Sequence, residues 1–156
     1  MKSATFGAGC FWGVESAFVK IKGVVSTSVG YMGGKLDNPS YEDVCSNKTG
    51  HVEVVQLKYD PNVISYEKLL DVFWGIHDPT QKNRQGPDIG TQYKSVIFYY
   101  DEDQHKTAIE SKDRLNKSKK YRKKIQTEIR PAEKFWKAEE YHQKYFEKNP
   151  NVFCKI

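Results

Sequence analysis

Apolar residues recur along the chain with two periods, and these periods predict its helices and strands. A spacing of three or four residues predicts a helix over 14–21, a second over 66–74 after Ser65, and a third over 103–115. Alternating or short continuous apolar runs, rich in branched and aromatic residues, predict the strands. The predicted strands are 3–7, 24–30, 52–59, 94–100 and 125–129.

The order of these elements, β-α-β-β-α-β followed by a helix and a strand, predicts an α+β fold. We expect a two-layer sandwich with its helices on one face of a largely antiparallel sheet, around a ferredoxin-like (split β-α-β plait) core. A length of 156 residues favours one domain, 1–156. The tyrosine-rich loops 31–50 and 76–93 exceed the usual length, which favours active-site loops. The aromatic stretch 134–146 predicts an irregular C-terminal tail packed on this domain.

Composition and charge limit the classes of partner. The net charge is +5, and a nucleic-acid-binding module could use the basic run over 112–124. However, Tyr121 is the only aromatic residue in this run, and the sequence has no helix-turn-helix or zinc-finger spacing. We interpret this run as a solvated helix end and expect no nucleic-acid partner. No apolar run reaches the roughly 18 residues of a membrane span, so we expect no membrane partner. No His or Cys pair shows metal-ligand spacing, so we expect no metal.

The cysteines point to a reducing compartment. Their number is odd, three, and they lie at 10, 45 and 154 without a Cys-x-x-Cys spacing, which disfavours a disulfide framework. The N-terminal residues lack the unbroken apolar segment of an export signal. We therefore expect a cytoplasmic protein whose thiols are either buried and inert or reactive.

Cys10 lies in the most distinctive local sequence, Gly7-Ala8-Gly9-Cys10-Phe11-Trp12-Gly13, between a strand and a helix. A dinucleotide fingerprint would need its third glycine one position earlier, and two bulky aromatic residues would obstruct a pyrophosphate. At the first turn of a helix, unpaired N–H groups lower the pKa of a thiol and favour a nucleophilic thiolate. The alternative is a small cysteine buried beneath the helix start.

Glu53 is the candidate acid. It shares the more apolar face of its strand with Val55, Leu57 and Tyr59, at the end next to the loop. Partial burial without a cation raises the pKa of a carboxyl group and suits it to general-acid catalysis near neutral pH. The alternative is a strand-end glutamate that points into water or pairs with a lysine.

Together these segments resemble the peptide methionine sulfoxide reductase A family, and the match runs through nearly the whole chain. The most specific clusters are the first and the last, Gly9–Gly13 and Tyr141-His142-Gln143. The segments between them that also agree are Gly30-Tyr31-Met32-Gly33-Gly34, Asn38-Pro39-Ser40-Tyr41, Thr49-Gly50-His51-Val52-Glu53, Tyr59-Asp60-Pro61, Phe73-Trp74, His77-Asp78-Pro79 and 84–93.

The resemblance implies a thioredoxin-dependent oxidoreductase without a cofactor that repairs oxidative damage. It reduces methionine-S-sulfoxide, free or in proteins, to methionine, and a polar, uncharged sulfoxide needs hydroxyl donors and a proton. The resemblance implies that Cys10 is the nucleophile, which becomes a sulfenic acid, and that Glu53 is the acid. It implies that Tyr41 and Tyr93 donate hydrogen bonds to the oxygen, with Asp88 as a further site residue. Phe11 and Trp12 would form the apolar wall that receives the methyl group.

The resemblance also implies how the enzyme is recycled. Cys154 resembles the recycling cysteine that forms a disulfide with Cys10, which thioredoxin then reduces. Some family members carry a second recycling cysteine on a longer tail, whereas this sequence ends at Ile156. Cys45 matches a common cysteine outside this cycle, and its role stays open. We expect a monomer. A thiol peroxidase, which would also use a helix-start cysteine, is the alternative enzyme.

Overall fold

The computed structural model describes residues 1–149 and contains the elements in the predicted order. The strands are β1 (Lys2–Ala8), β2 (Val24–Met32), β3 (Val52–Tyr59), β4 (Arg84–Gln85), β5 (Asp88–Ile89), β6 (Ser95–Tyr99), β7 (Glu128–Pro131) and β8 (Trp136–Lys137). The helices are α1 (Phe11–Val19), α2 (Tyr41–Cys45), α3 (Tyr66–Gly75), α4 (Glu102–Lys117) and α5 (Tyr145–Lys148). The chain therefore has the predicted mixture of helices and strands.

Six strands form one sheet in the order β7-β6-β1-β3-β2-β8, and β4 and β5 form a separate hairpin. All neighbours in the large sheet are antiparallel except β6 and β7, which are parallel. In the register between β2 and β3, Tyr31 lies opposite Glu53. The sheet is therefore largely antiparallel, as predicted.

The two faces of the sheet carry cores of different size. On the face covered by α1 and α3, Phe6 of β1 lies 5.3 Å from the rings of both Phe18 and Phe73. The opposite face carries a smaller apolar cluster, against which Ala132 and Phe135 pack. Each large apolar side chain buried in this way contributes about 1.5–3 kcal/mol to stability. The larger core fixes α1, and with it the start of that helix, against the sheet.

Two local predictions need correction. The loop predicted over 31–50 contains the end of β2 and all of α2, whose Ser40 and Asp43 cap the helix reciprocally in the S-x-x-D pattern. The bounds of the strand predicted over 125–129 need correction, because β7 spans Glu128–Pro131 and shares only residues 128 and 129 with the prediction. Residues 125–127 are not in a strand, and Gln126 N donates to Pro79 O at 2.7 Å. Alternating apolar residues cannot form a strand where no partner strand runs beside them.

The basic run ends a helix, as interpreted from the sequence. Helix α4 ends at Lys117, and Lys112 is held by donating from Nζ to Thr127 O at 2.7 Å. Within residues 112–124, most basic side chains are exposed. No helix within residues 1–149 is long and apolar enough to cross a membrane.

The C-terminal aromatic stretch packs on the domain, as predicted, but it is not irregular, because it contains β8, a 3-10 turn over Glu140–His142 and the start of α5. Strand β8 pairs with β2, and the buried Gln143 bridges the two segments. Its Oε1 accepts from Val29 N at 2.8 Å, while its Nε2 donates to Val29 O and Ala138 O, each at 2.9 Å. Because a buried amide needs all of these partners, the bonds keep the stretch against β2. Cys154 lies outside the described residues.

Candidate active site

Cys10 is the N-cap residue of α1, at the predicted place. Gly9 before it has φ +93°, and a Cβ there would lie 2.9 Å from side-chain atoms of Gln85, so only glycine fits. The carbonyl of Cys10 accepts from Gly13 N at 3.2 Å and from Val14 N at 3.3 Å. The side chain is only partly buried. This placement disfavours the alternative of a cysteine sealed beneath the helix.

Glu53 meets the same helix start from the end of β3. Glu53 is 1% exposed, so the alternative of a glutamate that points into water is wrong. Its Oε1 accepts from Phe11 N, the first amide of α1, at 3.3 Å. A carboxyl oxygen is a suitable partner there, because the first N–H groups of a helix have no acceptor within the helix. The geometry therefore brings the predicted acid beside the residue that follows the predicted nucleophile.

Tyr41 and Tyr93 extend this cluster from α2 and from the turn before β6. Burial raises the pKa of the Tyr41 phenol well above its usual 10, with contributions from contact with Cys45 and from the charge of Glu53. Burial also raises the pKa of Tyr93, as does Glu53, while a hydrogen-bonding contact with Tyr41 lowers it. Both phenols thus keep their protons through the neutral range and present O–H donors near the Glu53 carboxyl.

Asp88 and Cys45 border the phenols. Asp88, in β5, is half-buried, and burial raises the pKa of its carboxyl group. Its charge contributes to the raised pKa of Tyr93, which places the two groups near each other. Burial likewise raises the pKa of the Cys45 thiol from its usual value, opposed by contacts with Tyr41 and Gln92. A protonated thiol is a poor nucleophile, so Cys45 is less suited than a helix-start cysteine to react.

The predicted apolar wall has one buried and one partly exposed member. Phe11 is 1% exposed, with its ring 5.7 Å from that of Tyr31. Trp12 is half-buried, and Tyr145 of α5 stacks on its indole at 3.7 Å with an interplanar angle of 6°. The C-terminal segment therefore covers one face of Trp12.

His142 and Glu139 are site residues to which the sequence analysis assigned no role. His142 is 1% exposed, accepts from the indole Nε1 of Trp12 at 2.9 Å through Nδ1, and packs 4.8 Å from the ring of Tyr41. The carboxylate of Glu139 accepts from Tyr31 and Tyr41. The Tyr141-His142-Gln143 motif was the available signal for His142, but an aromatic tail explained it equally well. Glu139 had no such signal.

The arrangement joins a helix-start thiol, a buried carboxyl group and two phenol donors. Such a set can hold a polar, uncharged oxygen, supply a proton to it and attack the atom that bears it. Within residues 1–149, no group of three or more His, Cys, Asp or Glu side chains is placed to hold a metal ion.

Known proteins match the chain over almost its full length. The family profile described as "Peptide methionine sulfoxide reductase" matches residues 2–156. A peptide methionine sulfoxide reductase MsrA of Methanothermobacter thermautotrophicus is 63% identical over 155 residues, which cover 99% of this chain and 92% of that protein.

Solved structures are similar in fold as well as in sequence. The reduced form of Mxr1 from Saccharomyces cerevisiae superposes with a TM-score of 0.92 at 39% identity, covering 98% of this chain and 88% of that one. Mxr1 in complex with Trx2 gives a TM-score of 0.65 at 29% identity, covering 92% of this chain and 84% of that one.

Proposed function

The chain belongs to the peptide methionine sulfoxide reductase family, and we propose how its own residues reduce methionine sulfoxide. The enzyme is an oxidoreductase of oxidative-damage repair. One observation carries the assignment of residues: the buried carboxyl group of Glu53 accepts a hydrogen bond at Oε1 from Phe11 N, directly after Cys10. The family assignment also decides against a thiol peroxidase.

In the proposed reductive step, the Cys10 thiolate attacks the sulfoxide sulfur while Glu53 gives a proton to the oxygen. Tyr41 and Tyr93 donate hydrogen bonds to that oxygen, and the raised pKa of each phenol supports this role. Attack forms a bond between Cys10 Sγ and the substrate sulfur. That bond and the S–O bond then break as the protonated oxygen passes to Sγ, which leaves Cys10 as a sulfenic acid and releases methionine. Two electrons pass from the thiol sulfur to the substrate sulfur, so no cofactor is required.

We assign substrate contacts to the aromatic residues and to Asp88. Phe11 and Trp12 form the wall for the methyl group, supported by the position of both residues directly after Cys10. Asp88, beside Tyr93, completes the polar side of the site. A methyl group on one side and an oxygen on the other distinguish the two sulfoxide epimers, so we propose the S epimer as substrate.

The test of this proposal is the reduction of a racemic methionine sulfoxide with dithiothreitol, followed by chiral separation. We expect the S epimer to disappear while the R epimer remains. Loss of both epimers at equal rates would remove the proposed arrangement of methyl and oxygen subsites.

For recycling, the sulfenic acid of Cys10 condenses with the thiol of Cys154, forming a disulfide and releasing water. Thioredoxin then reduces that disulfide by thiol exchange. Support comes from the family motif around Cys154 and from the similar Mxr1, which was solved in complex with Trx2. The raised pKa of Cys45 favours Cys154 over it as the resolving thiol.

The recycling step is tested with Cys154→Ser. This variant should reduce about one equivalent of sulfoxide and then stall with thioredoxin, which needs a disulfide to exchange with, whereas dithiothreitol should restore turnover. Cys45→Ser is the matched control and should turn over with both reductants. Continued thioredoxin turnover in Cys154→Ser, with a Cys10–Cys45 disulfide in peptide maps, would move the resolving role to Cys45.

The remaining proposals concern the whole chain. The strand order β6-β1-β3-β2, with α1 and α3 on one face, supports a ferredoxin-like core within a single domain. We also propose a cytoplasmic monomer, since recycling by thioredoxin needs a reducing compartment. Light scattering after size exclusion tests the monomer, and cell fractionation tests the location.

A further inference from the structure

Glu139 connects the C-terminal segment to two tyrosines of the site. It follows β8, which pairs with β2, so its backbone is fixed against the sheet. Its Oε1 accepts from the Tyr31 hydroxyl at 3.1 Å, and its Oε2 accepts from the backbone N of Tyr41 at 3.1 Å. Each oxygen of the carboxylate therefore serves a different segment of the site.

The bond to Tyr41 N fixes a helix too short to be stable alone. Helix α2 has five residues, and isolated helices are marginal even at about 12–15 residues. Its reciprocal cap, Ser40 with Asp43, is exposed to solvent and lies within the same short segment, so it does not attach α2 to the rest of the site. Tyr41 N is one of the first helical donors that lack a partner within the helix, and the Glu139 carboxylate satisfies it. Because that nitrogen is bonded to the Cα that carries the phenol, fixing it limits where the phenol can lie.

The second bond of Glu139 holds a residue between the site and the core. Tyr31 is fully buried and lies opposite Glu53 in the sheet register. Its buried hydroxyl needs an acceptor, because an unsatisfied polar group there costs about 1–3 kcal/mol. Glu139 provides that acceptor and so directs the hydroxyl of Tyr31.

Charges around Glu139 keep it an acceptor. Burial raises the pKa of its carboxyl group, but hydrogen bonds from its own backbone, Tyr41 N and the Tyr31 hydroxyl lower it, as does nearby His142, and the net direction is down. The group is therefore ionised at neutral pH and accepts at both oxygens.

We propose that Glu139 is a positioning residue, which sets the place of the Tyr41 phenol and thereby the rate of sulfoxide reduction. It does not touch the reacting atoms. The proposal rests on the role of Tyr41 in the proposed function and extends it to the residue that holds Tyr41 in place.

The test is a double-mutant cycle on the single-turnover rate of methionine formation, with Glu139→Gln, Tyr41→Phe and the double variant. Glutamine keeps the size but replaces a charged acceptor by a neutral one, so we expect a slowing of about tenfold in the otherwise unchanged enzyme. With Phe at 41 there is no phenol to position, and Glu139→Gln should then slow the reaction by less than about twofold, the range of independent sites. Glu140→Gln is the matched control, since Glu140 is exposed and its carboxylate pairs, within residues 1–149, with Lys137 alone, at 3.8 Å. The rate of this variant should not change.

The possible outcomes separate this proposal from the proposed function. A rate unchanged by Glu139→Gln, or slowed equally in both backgrounds, overturns the positioning role while the role of Tyr41 stands. An unchanged rate in Tyr41→Phe overturns both. If Glu139→Gln does not fold, Glu139→Asp replaces it, because a side chain one methylene shorter withdraws the carboxylate from Tyr41 N and should show the same coupling to Tyr41.

Discussion

Two buried histidines lie in regions of opposite character. His77, after α3, has a partner at both ring nitrogens: Phe73 O lies 2.7 Å from Nδ1 and Ser95 Oγ lies 2.7 Å from Nε2. Ser95 Oγ in turn lies 2.7 Å from the hydroxyl oxygen of Thr127. We call His77, Ser95 and Thr127 the closed cluster. It connects α3, β6 and the segment before β7, and all of its members are buried.

The region of His142 is arranged differently. Its Nδ1 accepts from Trp12, while its buried Nε2 has no hydrogen-bond partner among residues 1–149. Around it lie the rings of Phe11, Trp12 and Tyr41, whose centroids are 5.1, 5.7 and 4.8 Å from that of His142. The donors and acceptors of the closed cluster are hydrogen-bonded to one another and to the backbone. The site instead presents polar groups that a substrate can use. Variants of the closed cluster should therefore lower stability, and variants of the site should lower rate.

The largest expected effect is the loss of all activity in Cys10→Ser. A serine hydroxyl is not ionised at neutral pH and cannot accept the sulfoxide oxygen as a sulfenic acid, so no reductant should restore turnover. Methionine released in the presence of dithiothreitol is the measurement. The thermal midpoint should stay close to that of the unchanged protein. Methionine production by folded Cys10→Ser would show that another group is the nucleophile.

The next effect is that of Glu53→Gln, which keeps the shape of the site but removes the transferable proton. General acid catalysis typically contributes 10²–10⁴-fold, and we expect a loss within about that range in the single-turnover rate. Glu67→Gln is the control, because Glu67 is exposed and, in the part of the chain that the structure describes, its carboxylate pairs with Arg114 alone. A Glu53→Gln rate within about twofold of the unchanged enzyme would exclude Glu53 as the acid.

His77 should make stability depend on pH. Burial lowers the pKa of His77 from 6.5 to about 4, opposed by its bond to Phe73 O and by Asp78. Between these values the unfolded chain binds a proton that the folded chain does not, so stability falls as pH falls from about 6.5 to 4. The loss attributable to His77 is about 3 kcal/mol.

Urea unfolding at pH 7 and pH 4.5 measures this loss, with His77→Gln as the comparison. The variant should lack the part of the pH dependence that His77 causes. Equal pH dependence in both proteins would mean that His77 is not held neutral by the fold.

The smallest effect is expected from Ser95→Ala, which removes the hydroxyl between His77 and Thr127. It leaves two buried polar groups without their partner and should lower the free energy of unfolding by about 1–3 kcal/mol. The activity of the folded variant should not change. A loss of rate without a loss of stability would place the closed cluster in the active site.

Periodicity and capping residues were sufficient to predict the main elements, because these signals are local. Helix α3 begins after Ser65, whose side chain accepts from Lys68 N as an N-cap does. Strand β3 has the predicted bounds and places Glu53 on the predicted face, with Val55 and Leu57 in the larger core. The strand predicted over 125–129 has shifted bounds, Glu128–Pro131, because its pairing depends on where β6 begins, which the local pattern does not contain.

The same limit applies to the site. Cys10 was identifiable because its surroundings are contiguous in sequence, Gly9 before it and a helix after it. Glu139 and His142 were not, because their roles come from contacts with Tyr41 and Trp12 across roughly a hundred residues or more of sequence. Nor did the sequence distinguish His77 from His142, since hydrogen-bond partners separate the two and a partner is visible only in the fold.

The central claim, that Cys10 takes the oxygen at a site separate from the closed cluster, is tested most directly by one single-turnover measurement. A Cys45→Ser, Cys154→Ser variant is mixed with methionine-S-sulfoxide without any reductant, and both products are quantified. We predict about one methionine per enzyme molecule, with the mass of one oxygen added to the peptide that contains Cys10. Methionine formed without oxidation of Cys10, or no methionine from a folded enzyme, would contradict the account.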